Sequence, residues 1–179
     1  MRCCPVVAMV ASRRADASVS EVRFRDLRAD DQARLWDWLH IALWDPPPAG
    51  RRPREVLAHP EVRIYAEHWG QPGDLGQVLT LGGRDAGACW IRQLPAGTGL
   101  ASVDAETPQL GIALEPEARG QGYGRQLLRT VMTRARAAGV PRIALTVHPA
   151  NPAQALYADC GFVPQGERRG YRLMVAPLQ

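Results

Sequence analysis

The spacing of apolar residues predicts alternating stretches of strand and helix in the first half of the chain. Val22 to Leu27 alternates loosely between apolar residues and arginines, which predicts a first strand. Asp30 or Asp31 can cap the helix that follows, and the prolines from Pro46 to Pro48 end it. The apolar positions of this helix recur at helical spacing in Leu35, Trp36, Leu39, Ala42 and Leu43.

Two shorter helices and a hairpin are predicted next. One helix covers Arg54 to Ala58, and another runs from Pro60 to Gly70. The pattern then changes to period two over 77–81 and 86–94, separated by the turn sequence Gly82 to Asp85. Alternation on both sides of a glycine-rich turn predicts an antiparallel hairpin.

The second half of the chain predicts two buried strands, each followed by a helix. Gln109 to Leu114 and Arg142 to Val147 are short and apolar enough for such strands. The helix between them ends at Gly139. Its apolar face is formed by Leu127, Leu128, Val131, Met132 and Ala135. A helix through Tyr157 then precedes two closing strands, the last over Gly170 to Val175. The order β-α-α-β-β-β-α-β-α-β-β predicts an α/β (α+β) fold, a mixed sheet with helices on both faces.

A glycine-rich turn, Arg119 to Gly124, joins the first buried strand to its helix and has the sequence R-G-Q-G-Y-G. Unpaired N–H groups at a helix start, approached over bare glycine backbone, suit phosphate. A P-loop is excluded because it needs a lysine and the chain has none. A dinucleotide site is disfavoured because Leu145 lies near the position that needs an acidic residue. The remaining pattern is R-x-x-G-x-G, formed by Arg119, Gly122 and Gly124.

A second motif begins after the second buried strand. Asn151 can cap a helix whose first position is Pro152, and Tyr157 is followed by Gly161 and Phe162. An asparagine followed by Y-x-x-x-G-F resembles the second motif of the GNAT superfamily, the acyl-CoA-dependent N-acyltransferases. The R-x-x-G-x-G pattern resembles that family's pyrophosphate loop. The two motifs have the family's order and usual separation, and the close resemblance covers residues 109–162.

The resemblance implies a fold and a co-substrate site. The sheet is expected to be mostly antiparallel, with about six to seven strands, and splayed at its two central strands. Acetyl-CoA is expected in the gap between these two strands, with its pantetheine arm along the central strand and its pyrophosphate on the glycine turn. The residues expected to bind it are Ile112, Ala113, Leu114, Arg119, Gly120, Gln121, Gly122, Tyr123, Gly124 and Asn151.

The resemblance also implies a reaction, the direct transfer of an acetyl group from acetyl-CoA to a primary amine of a small molecule or peptide. Tyr157 is the expected acid for the leaving thiolate. Many family members carry a glutamate as base early in the central strand, where this chain has Gln109. Asp104 and Glu106 are the nearest substitutes, and His148 is a further candidate.

The acceptor site is expected between the first two helices and the loop before the central strand. The tryptophans are concentrated in the first half of the chain, and one or two of them are expected to line this pocket. A second interpretation stays open, a non-catalytic acyl-CoA-binding sensor or interaction module on the same fold. Tyr157 and Asn151 favour catalysis, whereas Gln109 favours the binding module.

Charge and composition limit the other classes of function. The formal net charge is +4, which suits a ligand with three phosphate groups and is too diffuse to predict nucleic acid binding. The cysteines, Cys3, Cys4, Cys89 and Cys160, have neither metal spacing nor a disulfide framework. We therefore expect no metal site and a cytoplasmic location. No apolar run reaches the length of about 18 residues that a membrane span needs, so no membrane partner is expected.

The length of 179 residues predicts one domain. Residues 1–20 show no apolar period and are expected to form a disordered tail, which places the domain at 21–179. A homodimer is compatible with these features.

Overall fold

The computed structural model describes residues 21–178, so the prediction of a tail over residues 1–20 lies outside the described part of the chain. The strands are β1 Val22–Asp26, β2 Leu75–Leu81, β3 Arg84–Arg92, β4 Gln109–Leu114, β5 Arg142–Val147, β6 Val163–Arg168 and β7 Tyr171–Pro177. The α-helices are α1 Gln32–Ala42, α2 Pro60–Arg63, α3 Tyr123–Ala137 and α4 Ala153–Asp159. Short 3₁₀ helices cover Ala29–Asp31, Arg54–Ala58 and Pro116–Ala118. The order of strands and α-helices is the predicted one.

The strands form one seven-stranded sheet in the order β1-β2-β3-β4-β5-β7-β6. Every neighbouring pair is antiparallel except β4 and β5, which run parallel. These two strands meet only near their starts, where Gln109 pairs with Ala144 and the Ala144 N–H donates to the Pro108 carbonyl at 3.0 Å. Beyond this point they have no residues in register, which confirms the predicted splay.

Helices cover both faces of the sheet, as predicted. The α1 helix packs on one face, where the indoles of Trp38 and Trp90 are fully buried. The α3 and α4 helices pack on the other face, with Phe162 in the same core. All five apolar positions predicted for α3 are buried, and Gly139, with a φ of 80°, follows the end of this helix. The amphipathic pattern of α3 therefore determined its packing.

The β2–β3 hairpin turns more tightly than the sequence predicts. Gly82 and Gly83 form a two-residue turn with φ values of 55° and 79°, and β3 begins at Arg84. Two positive φ values are those of a type I′ turn, whose twist matches that of the flanking strands. Arg84 and Asp85, predicted as turn residues, are therefore strand residues.

The helix predicted from Pro60 to Gly70 is wrong beyond its first turn. The α2 helix has four residues, and hydrogen-bonded turns follow it. Two side chains of β3, Arg92 and Trp90, donate to backbone carbonyls of this segment, those of Ile64, Tyr65 and Glu67. Hydrogen bonds between distant parts of the chain thus replace the helical ladder that the local spacing predicts.

Candidate active site

A cavity of about 760 Å³ opens where β4 and β5 separate. Gly111 of β4 and Val147 of β5 line it. Leu39 of α1 lines it from one face of the sheet, and Tyr157 of α4 lines it from the other. The cavity therefore passes through the sheet at the splay, where two reactants can meet from opposite faces.

The edge of β4 that faces this gap has peptide groups that make no strand pairing within residues 21–178. The Glu115 N–H donates to a carbonyl of β3 at 2.9 Å. Because peptide groups alternate in direction along a strand, those of Ala113 also point to β3, whereas those of Ile112 and Leu114 point into the gap. The Leu114 carbonyl accepts from Arg119 Nε at 3.0 Å, which ties β4 to the following turn. A peptide-like chain lying in the gap can therefore pair with Ile112 and with the Leu114 N–H.

The glycine turn has the backbone geometry that the sequence predicts for an anion site. Gly120 and Gly122 have φ values of 72° and 83°, in the left-handed region that favours glycine. A methyl group added at either position would meet no atom of residues 21–178 within 4 Å. Gly124 differs, because an added methyl group would lie 3.3 Å from Leu114 and 3.4 Å from Leu156. The first two glycines thus serve backbone conformation and open approach, and the third serves close packing of α3.

The N–H groups in the first turn of α3 have no hydrogen-bond partner among residues 21–178. The first helical hydrogen bond runs from the Gln126 N–H to the Gly122 carbonyl at 3.2 Å. In the described part of the chain no side chain caps this helix, and the Gln121 amide donates to the Glu117 carbonyl at 2.6 Å. The free N–H groups of residues 122–125 lie at the positive end of the helix dipole. The turn and the adjacent edge of β4 therefore fit a diphosphate followed by a peptide-like arm.

Tyr157 lines the cavity from α4 and is 8% exposed. Its ring packs edge-on against Phe162, with ring centroids 5.9 Å apart. Its hydroxyl makes no hydrogen bond within residues 21–178. In that range, Trp38 Nε1 is the only side-chain polar atom that is both fully buried and without a hydrogen-bond partner. Since the Tyr157 hydroxyl has no partner either, it is not fully buried and is open to the cavity. Burial, with a smaller contribution from Cys89, raises the pKa of Tyr157 and keeps the phenol protonated as a donor.

Asn151 and His148 line the same cavity just beyond β5. Asn151 Oδ1 accepts from the N–H of Ala153, the first residue of α4, at 2.9 Å. The helix begins one residue later than predicted, so Pro152 and not Asn151 is the residue that directly precedes it. His148 Nδ1 accepts from the Ala150 N–H at 3.1 Å. A neutral imidazole whose Nδ1 accepts carries its proton on Nε2. His148 therefore presents a donor, which argues against its role as a base.

Gln109, at the position where many family members have a glutamate, is 2% exposed and lies outside the cavity lining. Its Oε1 accepts from the Tyr65 hydroxyl at 2.8 Å and from the Ala101 N–H at 3.1 Å. Its Nε2 donates to the Thr98 carbonyl at 2.6 Å. The amide thus anchors loop 98–101, which forms one wall of the cavity, and donates as well as accepts there.

Neither Asp104 nor Glu106 is brought to the cavity lining. Asp104 accepts from the Thr107 hydroxyl at 2.6 Å and from the Glu106 N–H at 3.0 Å, and it pairs with Arg142. These contacts, the Thr107 hydrogen bond foremost, hold the pKa of Asp104 below its ordinary value, which makes it a poor base. The Glu106 carboxylate is exposed and has no hydrogen bond or ion pair within residues 21–178.

The sequence does not predict the charged mouth of the cavity. Arg52, Glu61, Arg168 and Arg169 line it, and they come from the loop after α1, from α2 and from the β6–β7 hairpin. The two arginine pairs at 51–52 and 168–169 are the only signal in the sequence, and short charge runs are typical of solvated surface. Two of the tryptophans, Trp44 and Trp90, do line the cavity.

The splayed mixed sheet, with a glycine turn between its central strand and the next helix, is the architecture of acyl-CoA-dependent N-acyltransferases. The chain belongs to the GNAT family of acetyltransferases, because the sequence model of the acetyltransferase (GNAT) family matches residues 35–162.

Relatives and solved structures extend this comparison. The chain is 29% identical over 139 residues to L-2,4-diaminobutyric acid acetyltransferase of Nocardia farcinica, which covers 69% of each chain. A segment of 61 residues is 39% identical to a protein of Bacillus subtilis provisionally assigned as a ribosomal protein bS18-alanine N-acetyltransferase, covering 34% of this chain and 40% of that protein. The fold is similar to that of a protein of Salmonella typhimurium provisionally assigned as an acetyltransferase and solved with acetyl-CoA, with a TM-score of 0.64. The two chains are 19% identical, and the match covers 89% of this chain and 95% of the other.

Within residues 21–178, no helix combines the length and the apolar character that crossing a membrane requires. The same part of the chain has no group of three or more His, Cys, Asp or Glu side chains placed to hold a metal ion.

Proposed function

We propose that this protein transfers an acetyl group from acetyl-CoA to a primary amine of a small molecule or peptide, by direct attack in a ternary complex. The observation that carries this proposal is the cavity that passes through the sheet beside the open hydroxyl of Tyr157. Family membership supports acyl transfer in general, and the relative solved with acetyl-CoA supports this acyl donor.

The proposed donor site consists of the glycine turn and the gap-facing edge of β4. The N–H groups of residues 122–125 hold the pyrophosphate, and Gly120 and Gly122 leave room for it. The peptide groups of Ile112 and Leu114 pair with the pantetheine arm. The other residues assigned to this site are Arg119, Gln121, Tyr123, Gly124 and Asn151. Ala113, which the sequence also places here, directs its peptide groups to β3 and contributes only through its place in the strand.

The proposed reaction forms a bond from the amine nitrogen to the acyl carbon and breaks the carbon–sulfur bond. Tyr157 donates a hydrogen bond to the leaving sulfur, and the released thiolate takes a proton. An alkyl amine with a pKa of about 10.4 is about 3.4 units too protonated at pH 7, which costs about 4.6 kcal/mol. One ammonium proton must therefore leave before attack, and the nitrogen loses a second proton as the amide forms.

We propose that these protons leave through water, since no side chain in the described cavity lining is a free carboxylate. Of the two candidates from the sequence, Glu106 retains an unpaired carboxylate, whereas the oxygens of Asp104 are occupied. Glu106 is thus the better acceptor at the end of a water chain, with Asp104 as the alternative.

A thiol-release assay with acetyl-CoA and a mixed panel of amines tests the proposed function. The panel includes 2,4-diaminobutyric acid and a peptide with an N-terminal alanine, because relatives are named for such acceptors. We expect at least one amine to raise thiol release above the rate of acetyl-CoA hydrolysis.

The buried amide of Gln109 favours a second function, an acyl-CoA-binding module without catalysis. Binding of acetyl-CoA in a calorimeter without amine-dependent thiol release would support that module instead. Amine-dependent turnover would rule it out.

A further inference from the structure

Three arginines and one glutamate line the mouth of the cavity. Arg52 donates to both carboxylate oxygens of Asp45, each at 2.5 Å, and to the Tyr171 hydroxyl at 3.0 Å. Arg169 pairs with Glu61 at 2.7 Å, which links the β6–β7 hairpin to α2 at the mouth. Two of the three arginines are therefore neutralised by acidic side chains of the chain itself.

Arg168, the last residue of β6, has no acidic partner within residues 21–178. Its hydrogen bonding in that range is limited to a contact of 3.4 Å with the Glu167 carbonyl. It lies opposite Tyr171 in the β6–β7 hairpin, and both residues line the cavity. The guanidinium of Arg168 is therefore available at the mouth to bind an anionic group of a ligand.

The same lining offers no unpaired carboxylate among the residues that the structure describes. Glu61 is bound to Arg169, and Asp45, which lies behind the lining, is bound to Arg52. These arginine contacts lower the pKa of both carboxyl groups, so both stay charged and remain paired with their arginines. A second ammonium group on the acceptor would therefore meet an uncompensated arginine.

The lining contributed by the α1 and α2 side of the sheet is mostly apolar and aromatic, with Leu43, Trp44, Val62, Tyr65 and Trp90 among its members. Gly111 permits this arrangement, because an added methyl group there would lie 2.4 Å from the Trp90 ring. Such a surface suits a large apolar group rather than a polar chain.

We infer that the acceptor is an α-amino acid with a large apolar side chain, whose carboxylate binds Arg168. This inference rests on the proposed acyl transfer and names the acceptor class of that same site. The amino group enters the gap between β4 and β5, the side chain packs on the apolar lining, and the carboxylate stays at the mouth. The amine nitrogen then takes the acyl group, and the products are the N-acyl amino acid and the thiol.

Three acceptors of similar shape test this inference: L-phenylalanine, L-phenylalaninamide and phenethylamine. Thiol release from acetyl-CoA gives kcat/KM for each acceptor with the full wild-type chain and with Arg168→Gln. We expect Arg168→Gln to lower kcat/KM for L-phenylalanine by about 10- to 100-fold, because a hydrogen bond between two charged groups is lost. The two acceptors that lack the carboxylate should change by less than about twofold.

Comparison within each acceptor removes the effect of amine basicity, which is the same for both enzymes. Arg23→Gln is the matched control, because Arg23 is an exposed arginine of β1, at the edge of the sheet opposite β6. It should leave kcat/KM unchanged for all three acceptors. Arg168→Lys keeps the charge and should recover part of the loss for L-phenylalanine alone.

An equal loss on all three acceptors in Arg168→Gln would overturn the assignment of Arg168 and leave acyl transfer intact. So would thiol release with other amines of the panel but none with L-phenylalanine or other apolar amino acids. If no amine of the panel supports thiol release, the proposed function itself is overturned, and the acceptor class falls with it.

Discussion

At the scale of single residues, the Tyr157 hydroxyl has the two properties that a donor to a leaving thiolate needs. It is open to the cavity and has no hydrogen-bond partner within the described residues. Burial raises its pKa, so it is protonated throughout the neutral range. The same shift makes it a weaker acid than an ordinary tyrosine, and complete proton transfer to a thiolate is uphill. Tyr157 is therefore expected to act chiefly through a hydrogen bond that strengthens as charge develops on sulfur.

We expect Tyr157→Phe to lower kcat by about 10²–10⁴-fold. The change removes only a hydroxyl that has no partner in the described residues, so the melting temperature and the affinity for acetyl-CoA should hardly change. Thiol release with an acceptor whose turnover is limited by chemistry gives kcat, and calorimetry gives the other two quantities. A wild-type kcat in this variant would show that the hydroxyl is not needed.

Asp104 is expected to be structural, and its stability contribution has a defined pH dependence. Its contacts lower the pKa in the folded state, so the stabilisation is fully present above the unfolded-state pKa of about 3.9. It is lost as pH falls through the lower, folded-state pKa. Asp104→Asn should therefore lower the melting temperature at pH 7, and the difference from wild type should shrink below about pH 4. Its kcat/KM should stay within about twofold of wild type at every pH.

Glu106→Gln provides the complementary test of the proton path. If Glu106 accepts the proton through water, kcat/KM should fall most near neutral pH and recover as rising pH deprotonates the amine in solution. The melting temperature should not change, because the Glu106 side chain has no partner among residues 21–178. A pH-dependent loss in Asp104→Asn alone would assign the proton to Asp104, and no loss in either variant would assign it to bulk water.

At the scale of elements, α3 is the rigid support of the proposed phosphate site. Its five apolar positions are buried, so its N-terminal N–H groups point in a fixed direction. Gly122 precedes the helix in a left-handed conformation, and open space lies around it. The same conformation and the same open space occur at Gly139, just beyond the other end of α3. The two glycines thus differ mainly in their place on the helix.

We expect Gly122→Glu to lower the affinity for acetyl-CoA by more than about 100-fold, since like charges brought together cost several kcal/mol. Gly139→Glu is the control, because each change also costs about 1–2 kcal/mol for a side chain in the left-handed region. Both variants should therefore melt at lower temperature, and only Gly122→Glu should lose binding in a calorimeter. Unchanged affinity in Gly122→Glu would refute the assignment of the glycine turn.

The elements that the sequence predicts best are those whose signals are local. The apolar face of α3, the hydrogen bond from the Ala153 N–H to Asn151 and the glycines of the turn each act within a few residues, and the structure has all three. The segment after α2 was predicted wrongly because Arg92, almost thirty positions along the chain, binds its carbonyls. Spacing within a segment carries no information about such a partner.

The candidate site divides in the same way. Sequence motifs predict Tyr157 and the glycine turn. The loop 98–101 is held by Gln109, which is itself bound by Tyr65, 44 positions away in the chain. The mouth likewise depends on a contact between Arg52 and Tyr171, 119 positions apart. Local patterns therefore predict where the acyl donor binds better than what the acceptor is.

At the scale of the whole molecule, the cavity is open to residues on both faces of the sheet. The free edge of β4 and the glycine turn can bind one substrate. The cavity lining from α1, α2 and the β6–β7 hairpin can bind the other at a separate place. Both can therefore be bound at once, with the reacting atoms in the gap. Direct attack needs such a ternary complex, whereas a covalent acyl-enzyme would need a nucleophile in the cavity.

We expect initial rates to follow a sequential mechanism, with double-reciprocal plots that intersect. Cys89 is fully buried, neither Cys89 nor Cys160 lines the cavity, and burial raises the pKa of both, so neither supplies the thiolate that an acyl-enzyme would need. Cys3 and Cys4 lie outside the described residues, so a Cys3→Ser, Cys4→Ser double variant is tested beside Cys160→Ser. Each variant should keep kcat within about twofold of wild type. Parallel plots, together with loss of turnover in one of these variants, would replace direct attack with transfer through that cysteine.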